Sequence, residues 1–87
     1  MNILFHKNFL KRYRKLASGV QDKFDRQLAL VYEDRYDARL NNHELQGKYA
    51  GYRSINVTGD IRAIFKQVGG ADDLLFVDIG THSELYS

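Results

Sequence analysis

His6, His43 and His82 are the three side chains of this 87-residue chain whose ordinary titration falls near neutral pH. His82 stands in the closing run Ile79-Gly80-Thr81-His82-Ser83-Glu84-Leu85-Tyr86, just past an apolar stretch. An imidazole there can take or give a proton, or be an ordinary surface histidine after a strand. His43 follows two asparagines, Asn41-Asn42, in a turn-like segment where surface histidines are common. His6 lies outside every motif and receives no role. The three histidines lack the close spacing of zinc ligands, and the chain has no cysteine to supply a thiolate or a disulfide. Gly69-Gly70 is not followed by the Lys-Ser/Thr of a phosphate loop, and no serine or cysteine nucleophile motif occurs. The residue types offer no metal site or phosphate loop and leave proton transfer by a histidine open.

The net charge is only +2, but the charges are segregated. Lys7, Lys11, Arg12, Arg14 and Lys15 form a basic run without an acid, whereas beyond Gln67 the charges are Asp72, Asp73, Asp78 and Glu84. Between them, Arg39, Lys48, Arg53, Arg62 and Lys66 face only Glu44 and Asp60 from Ala38 to Lys66. With a pI near 9.0, this distribution is compatible with a phosphate backbone as ligand, and equally with basic residues that solvate a helix face.

Positioning these residues falls to an α+β arrangement. Phe9, Tyr13 and Leu16 recur at helical spacing, widened by Leu10 and Ala17. Ser18-Gly19 breaks that helix, and Ser18 with Gln21 has the spacing of a capping box for a second helix carrying Val20, Phe24, Leu28 and Val31. Tyr32 to Leu40 either extends this helix or forms a turn of its own. From Asn41 onward β-branched and aromatic residues take over. Tyr52, Ser54 and Asn56 alternate with Arg53, Ile55 and Val57, and Thr58-Gly59 turns the chain. Ile61 to Val68 returns, with Ile61, Ala63 and Phe65 on one side. After a turn at Gly69-Gly70-Ala71-Asp72, Leu74 to Ile79 reads as a central strand ended by Gly80. With a short opening strand at Ile3-Leu4-Phe5, the order is β-α-α-β-β-β. An N-terminal helical hairpin should cover one face of a small, mainly antiparallel sheet, with the first strand at an edge or beside the last. One domain, residues 1–87, suffices. A chain this short buries only about 60–65% of its unfolded surface, so its core should be thin.

The run Leu40-x-x-His43-x-Leu45-x-Gly47-x-x-x-Gly51-x-Arg53, then Asp60, then Arg62-Ala63-Ile64-Phe65, then Gly80-Thr81-His82-Ser83-Glu84-Leu85-Tyr86 resembles YafQ-type toxins of the RelE/ParE superfamily. The matched block covers Leu40 to Tyr86; the helical hairpin agrees in order and length. The resemblance implies a RelE-like microbial RNase fold and a type II toxin that cleaves mRNA on the ribosome without a metal and is silenced by a cognate antitoxin. It nominates His82 and His43 for proton transfer, with Asp60 and Tyr86 assisting and Arg62 on the scissile phosphate. Tyr86 could orient the substrate, stack on a base or donate its phenolic proton; a role in packing the chain end is equally open. Phosphate contacts need only positive charge within reach, which adds Lys48, Arg53 and Lys66 as RNA-backbone binders.

Three positions depart from the pattern. Asn56 stands where such toxins usually carry a second histidine, Asp78 where a basic residue precedes the terminal motif, and Ile61 where an aromatic often follows Asp60. Asparagine cannot exchange protons near neutrality, and a carboxylate repels phosphate unless it faces away or orients His82. A non-enzymatic ParE-like inhibitor of a topoisomerase, a toxin-fold protein of impaired activity, and a plain RNA-binding domain are the rival readings. The opening residues lack a signal-peptide stretch, and no apolar run approaches the roughly 20 residues of a membrane span, so a soluble cytoplasmic protein is expected.

Overall fold

In the computed structural model, residues 1–70 and 72–86 are described. The chain begins with β1 (Ile3–Phe5) and turns at His6 into α1 (Lys7–Arg14), where His6 Nδ1 accepts the Asn8 amide at 3.1 Å and caps the helix. The second helix, α2 (Ser18–Glu33), starts where the sequence places it but not by the expected device. Ala17 occupies the cap position without a side-chain bond, and no capping box joins Ser18 and Gln21. The Gln21 side chain instead donates to the Tyr13 carbonyl at 2.8 Å, sharing with the Leu16 amide an acceptor that the last turn of α1 leaves outside the regular helical ladder.

The ambiguous stretch after Tyr32 does both things expected of it. Helix α2 runs on to Glu33, and the chain then folds through Asp34 into a short 3-10 turn at Ala38–Leu40. Asn41, at φ 49°, reverses the backbone. Next come β2 (His43–Glu44), a 3-10 turn at Gly47–Tyr49, β3 (Arg53–Asn56), β4 (Ile61–Val68), β5 (Asp73–Thr81) and a last helix, α3 (His82–Tyr86). The brief β2 and the α3 helix are additions to the expected β-α-α-β-β-β order. Gly80 does not end β5; the strand continues through it to Thr81.

Among the described residues the sheet has five strands in the order β1-β5-β4-β3-β2. Only β1 with β5 is parallel; the other neighbours are antiparallel. The first strand is thus both at an edge and beside the last. One sheet face carries the core. Phe5, Phe9, Phe24, Phe65 and Phe76 interlock with ring centroids 5.1–6.4 Å apart, and Leu40, Ile55, Ala63, Leu74 and Ile79 complete the apolar layer under the two helices. Centroid distances in this range are those at which aromatic pairs attract beyond simple burial.

A β-bulge in β5 sorts its side chains. Ile64 pairs with Asp78 while Phe65 pairs with Phe76, which leaves Val77 as an extra residue. Strict alternation from Leu74 and Phe76 would bring Asp78 into the core; the inserted residue sends Ile79 there instead and keeps Asp78 on the opposite face. That opposite face, carrying Ser54, Asn56, Arg62, Ile64, Lys66 and Asp78, is the one on which α3 sits.

Candidate active site

Strand β4 presents Arg62 and Ile64 on the face away from the long helices, in register with Asn56 and Ser54 of β3. Helix α3 lies across this face by burying Leu85, which is 2% exposed. Two neighbouring hollows result. One, of about 80 Å3, is lined by His43, Ser54, Arg62, His82 and Tyr86 among others. The other, more open and about 410 Å3, is lined by Gly59, Asp60, Arg62, Thr81, His82 and Ser83. Arg62 and His82 line both. The structure therefore brings His43, Arg62, His82 and Tyr86 to the first hollow and Asp60, Arg62 and His82 to the second, from β2, from the start of β4 with the turn before it, and from α3.

Helix α3 begins at His82 because of its cap. Thr81 Oγ1 accepts the Glu84 amide at 3.2 Å, and Glu84 Oε1 accepts the Thr81 amide at 2.8 Å, a reciprocal capping box. Those bonds hold the Glu84 carboxyl below its ordinary value, with Arg12 adding a smaller electrostatic pull. The Thr-x-x-Glu signal was present in the sequence at Thr81 to Glu84, but the glycine before it reads as a stop. Gly80 is buried, and a side chain there would meet Arg12 Nη1 and Glu84 Oε1 at 3.1 Å each.

Within the hollow the His82 ring stacks on Tyr86, centroids 4.6 Å apart. Tyr86 in turn meets Tyr49 edge-on at 5.3 Å, and the Tyr49 hydroxyl donates to the Leu85 carbonyl at 3.2 Å. Burial, followed by the nearby Asp78 carboxylate, pushes the Tyr49 phenol above its ordinary value. His43 places Nδ1 2.8 Å from the Asn41 carbonyl. A carbonyl only accepts, so Nδ1 carries the proton and Nε2 is left as the acceptor. Arg62 Nη1 binds the Thr58 carbonyl at 2.8 Å and the Gly59 and Ile61 carbonyls at 3.2 Å each, which fixes the guanidinium against the β3–β4 turn. Its Nε and Nη2 make no hydrogen bond among the described residues, so one edge of the fork stays open to an anion. Asp60 stands exposed on the turn, its amide on Thr58 Oγ1 at 3.2 Å.

The basic residues divide. Lys48 and Lys66 lie on the face that carries α3, Lys48 Nζ 5.9 Å from the Tyr86 ring and Lys66 Nζ 5.1 Å from the Tyr52 ring. Arg53 lies on the other face of β3, over the Tyr36 ring at 5.6 Å, bonded to Asn42 at 2.6 Å and paired with Glu44 at 3.4 Å. Asp78 does not orient His82; it pairs with Arg12 of α1 at 3.3 Å. Asn56 keeps a buried Oδ1 without a hydrogen-bond partner among the described residues. No group of three or more His, Cys, Asp or Glu among the described residues is placed to hold a metal ion, and no helix is long and apolar enough to cross a membrane.

The whole of residues 1–87 matches the family model for the bacterial toxin of type II toxin-antitoxin systems, YafQ. The chain belongs to the YafQ toxin family. Among solved structures, YafQ from E. coli strain BL21(DE3) is similar, with 25% identity and a TM-score of 0.77 over 99% of this chain and 98% of that one. The E. coli DinJ-YafQ toxin-antitoxin complex matches with 25% identity and a TM-score of 0.73, covering 99% and 97% of the two chains. The RelB-RelE antitoxin-toxin complex from Methanococcus jannaschii shares the fold at 19% identity and a TM-score of 0.76, covering 97% and 95%. No curated protein sequence matches. Family membership accords with the α+β architecture and with the resemblance carried by residues 40–86 of this YafQ-family chain.

Proposed function

We propose that this YafQ-family toxin is a metal-independent endoribonuclease that cuts mRNA on the ribosome, acting as a single cytoplasmic domain restrained by a cognate antitoxin. The observation that carries the reading is the convergence of His43, Arg62, His82 and Tyr86 on one hollow, with Asp60 lining the hollow beside it. In the proposed reaction the ribose 2′-hydroxyl attacks its own neighbouring phosphorus. The P–O5′ bond breaks, leaving a 2′,3′-cyclic phosphate and a free 5′-hydroxyl. His43, with Nε2 as an acceptor, suits removal of the 2′-hydroxyl proton, and His82 suits delivery of a proton to the leaving O5′. The open edge of Arg62 would take the charge that builds on the phosphate oxygens. Tyr86, stacked on His82, would steady that ring and receive a base, with Asp60 assisting the histidines from the neighbouring hollow. Catalytic hydrogen bonds are often absent until substrate arrives, so the open spacing is what a waiting site shows. The antitoxin is supported by the DinJ-YafQ and RelB-RelE complexes.

Purified protein added to ribosomes translating a message should yield fragments with 5′-hydroxyl ends. His82→Ala should lower cutting by about 10²–10⁴-fold while the folded spectrum persists. Growth arrest without any cleavage would overturn this reading in favour of a ParE-like inhibitor.

A further inference from the structure

The catalytic hollow is not the end of the basic, aromatic surface. Beyond α3 along β4 lies a groove of about 410 Å3 whose lining includes His6, Lys48, Tyr49, Tyr52, Lys66 and Asp78. We propose that this groove is a subsite for single-stranded RNA, holding the strand that leads away from the scissile phosphate; the inference rests on the ribonuclease reading.

The placement is continuous. Arg62, Ile64 and Lys66 share one face of β4, so Arg62 and Lys66 are about 13 Å apart by strand rise. Tyr86 borders the hollow and touches Tyr49 of the groove, so a strand leaving His82 passes straight onto the second ring pair. There Tyr49 and Tyr52 stand edge to face at 5.9 Å. Lys48 Nζ sits 5.2 Å from the Tyr49 ring centre and Lys66 Nζ 5.1 Å from that of Tyr52. Aromatic faces interleaved with cations are what unpaired nucleotides require, because each base offers a π-face and each linkage one negative charge. The Tyr49 ring is already fixed through its bond to Leu85, so little freedom is lost on stacking. Lys66 now covers the Tyr52 face; a base arriving there would take that face while the flexible amine moves to the adjoining phosphate. The one acid in the groove, Asp78, is held by Arg12 and only 18% exposed in its side chain, which mutes its repulsion. A duplex, with its bases already stacked on each other, gains none of this.

The test uses a fluorescein-labelled, uridine-rich oligonucleotide of about a dozen residues, 2′-O-methylated throughout so that it cannot be cleaved. Binding to the purified protein is followed by anisotropy across a salt series. Tyr52→Ala should weaken binding about ten-fold and Tyr52→Phe should restore it. Lys66→Ala should make the slope of log affinity against log salt shallower by about 0.7. The same sequence as a duplex should bind less tightly. No binding by the wild-type protein at low salt, or unaltered affinity and slope in both groove variants, overturns the subsite. Loss of binding in Tyr52→Ala with no cleavage by the wild type on ribosomes would instead remove the ribonuclease reading and leave the subsite standing.

Discussion

Arg62 holds the β3–β4 turn and is proposed to hold the phosphate as well, and its substitutions should separate the two. Nη1 ties down the turn carbonyls from Thr58 to Ile61, while the opposite edge is the part available to phosphate. Arg62→Lys keeps a charge but lacks the fork, so single-turnover cleavage should fall at least about ten-fold even if the melting temperature holds. Asn56 gives the opposite test. It lies in register with Arg62 and carries a buried, unpartnered oxygen, an arrangement that costs roughly 1–3 kcal/mol. Asn56→His introduces a titratable ring beside the arginine and should raise turnover by about ten-fold; an unchanged rate would show that His43 and His82 suffice. Two tyrosines report on dry surroundings, Tyr49 beside the site and Tyr13 in the helical layer. Burial pushes both Tyr13 and Tyr49 above the ordinary phenol value, so their ionisation opposes folding only at high pH. The stability they contribute is present below the unfolded phenol value and is lost as pH rises through the folded one. In an alkaline ultraviolet titration, Tyr49→Phe should remove one of the late-ionising components.

Among the elements, α3 depends most on a few bonds. Its capping box should make Glu84→Ala cost about 0.5–2 kcal/mol, with cleavage reduced as His82 and Tyr86 lose their common helix. Because the Glu84 carboxyl is held below its ordinary value, the stabilisation is present above the unfolded glutamate value and is lost as pH falls through the lowered folded one. The chemical shift of the Thr81 amide followed through acid pH would show that release. At α2, Ser18→Ala should change stability by no more than about 0.5 kcal/mol, whereas Gln21→Ala should cost about 0.5–1.5 kcal/mol. Denaturant melts of the pair decide whether the helix junction is held by the cap or by the side chain that bridges it.

At the scale of the whole molecule, the five interlocked phenylalanines join β1, both helices, β4 and β5, and Phe24→Ala should cost about 3–5 kcal/mol. Much of the architecture was legible in the sequence because period tracks burial: Phe9, Phe24 and Val31 recur as helical faces, and Ile61, Ala63 and Phe65 as a strand face. The alternation that sets Arg53 with Ile55 and Val57, apart from Tyr52, Ser54 and Asn56, also placed Arg53 on the helix-covered side; reading its charge alone pointed it toward RNA. What could not be seen were events without a period. The bulge at Val77 is visible only once β4 fixes the register, and the two-residue β2 carries too little pattern to stand out. The α3 start was hidden because Gly80, which reads as a stop, is needed for the close approach of Arg12 and Glu84. The catalytic candidates were found through motif order, while the Tyr49–Tyr52 groove emerged only when tertiary packing set two loop aromatics beside β4.

The parallel pairing of β1 with β5 has a consequence for timing. Ile3 lies beside Leu74 and Phe5 beside Phe76, so the first strand made has no neighbour in the sheet until nearly the last one is synthesised. His82 and Tyr86 follow later still. Neither the β1–β5 pairing nor the helix that carries His82 can form before β5 has left the ribosome, so the proposed site assembles only after that point in synthesis.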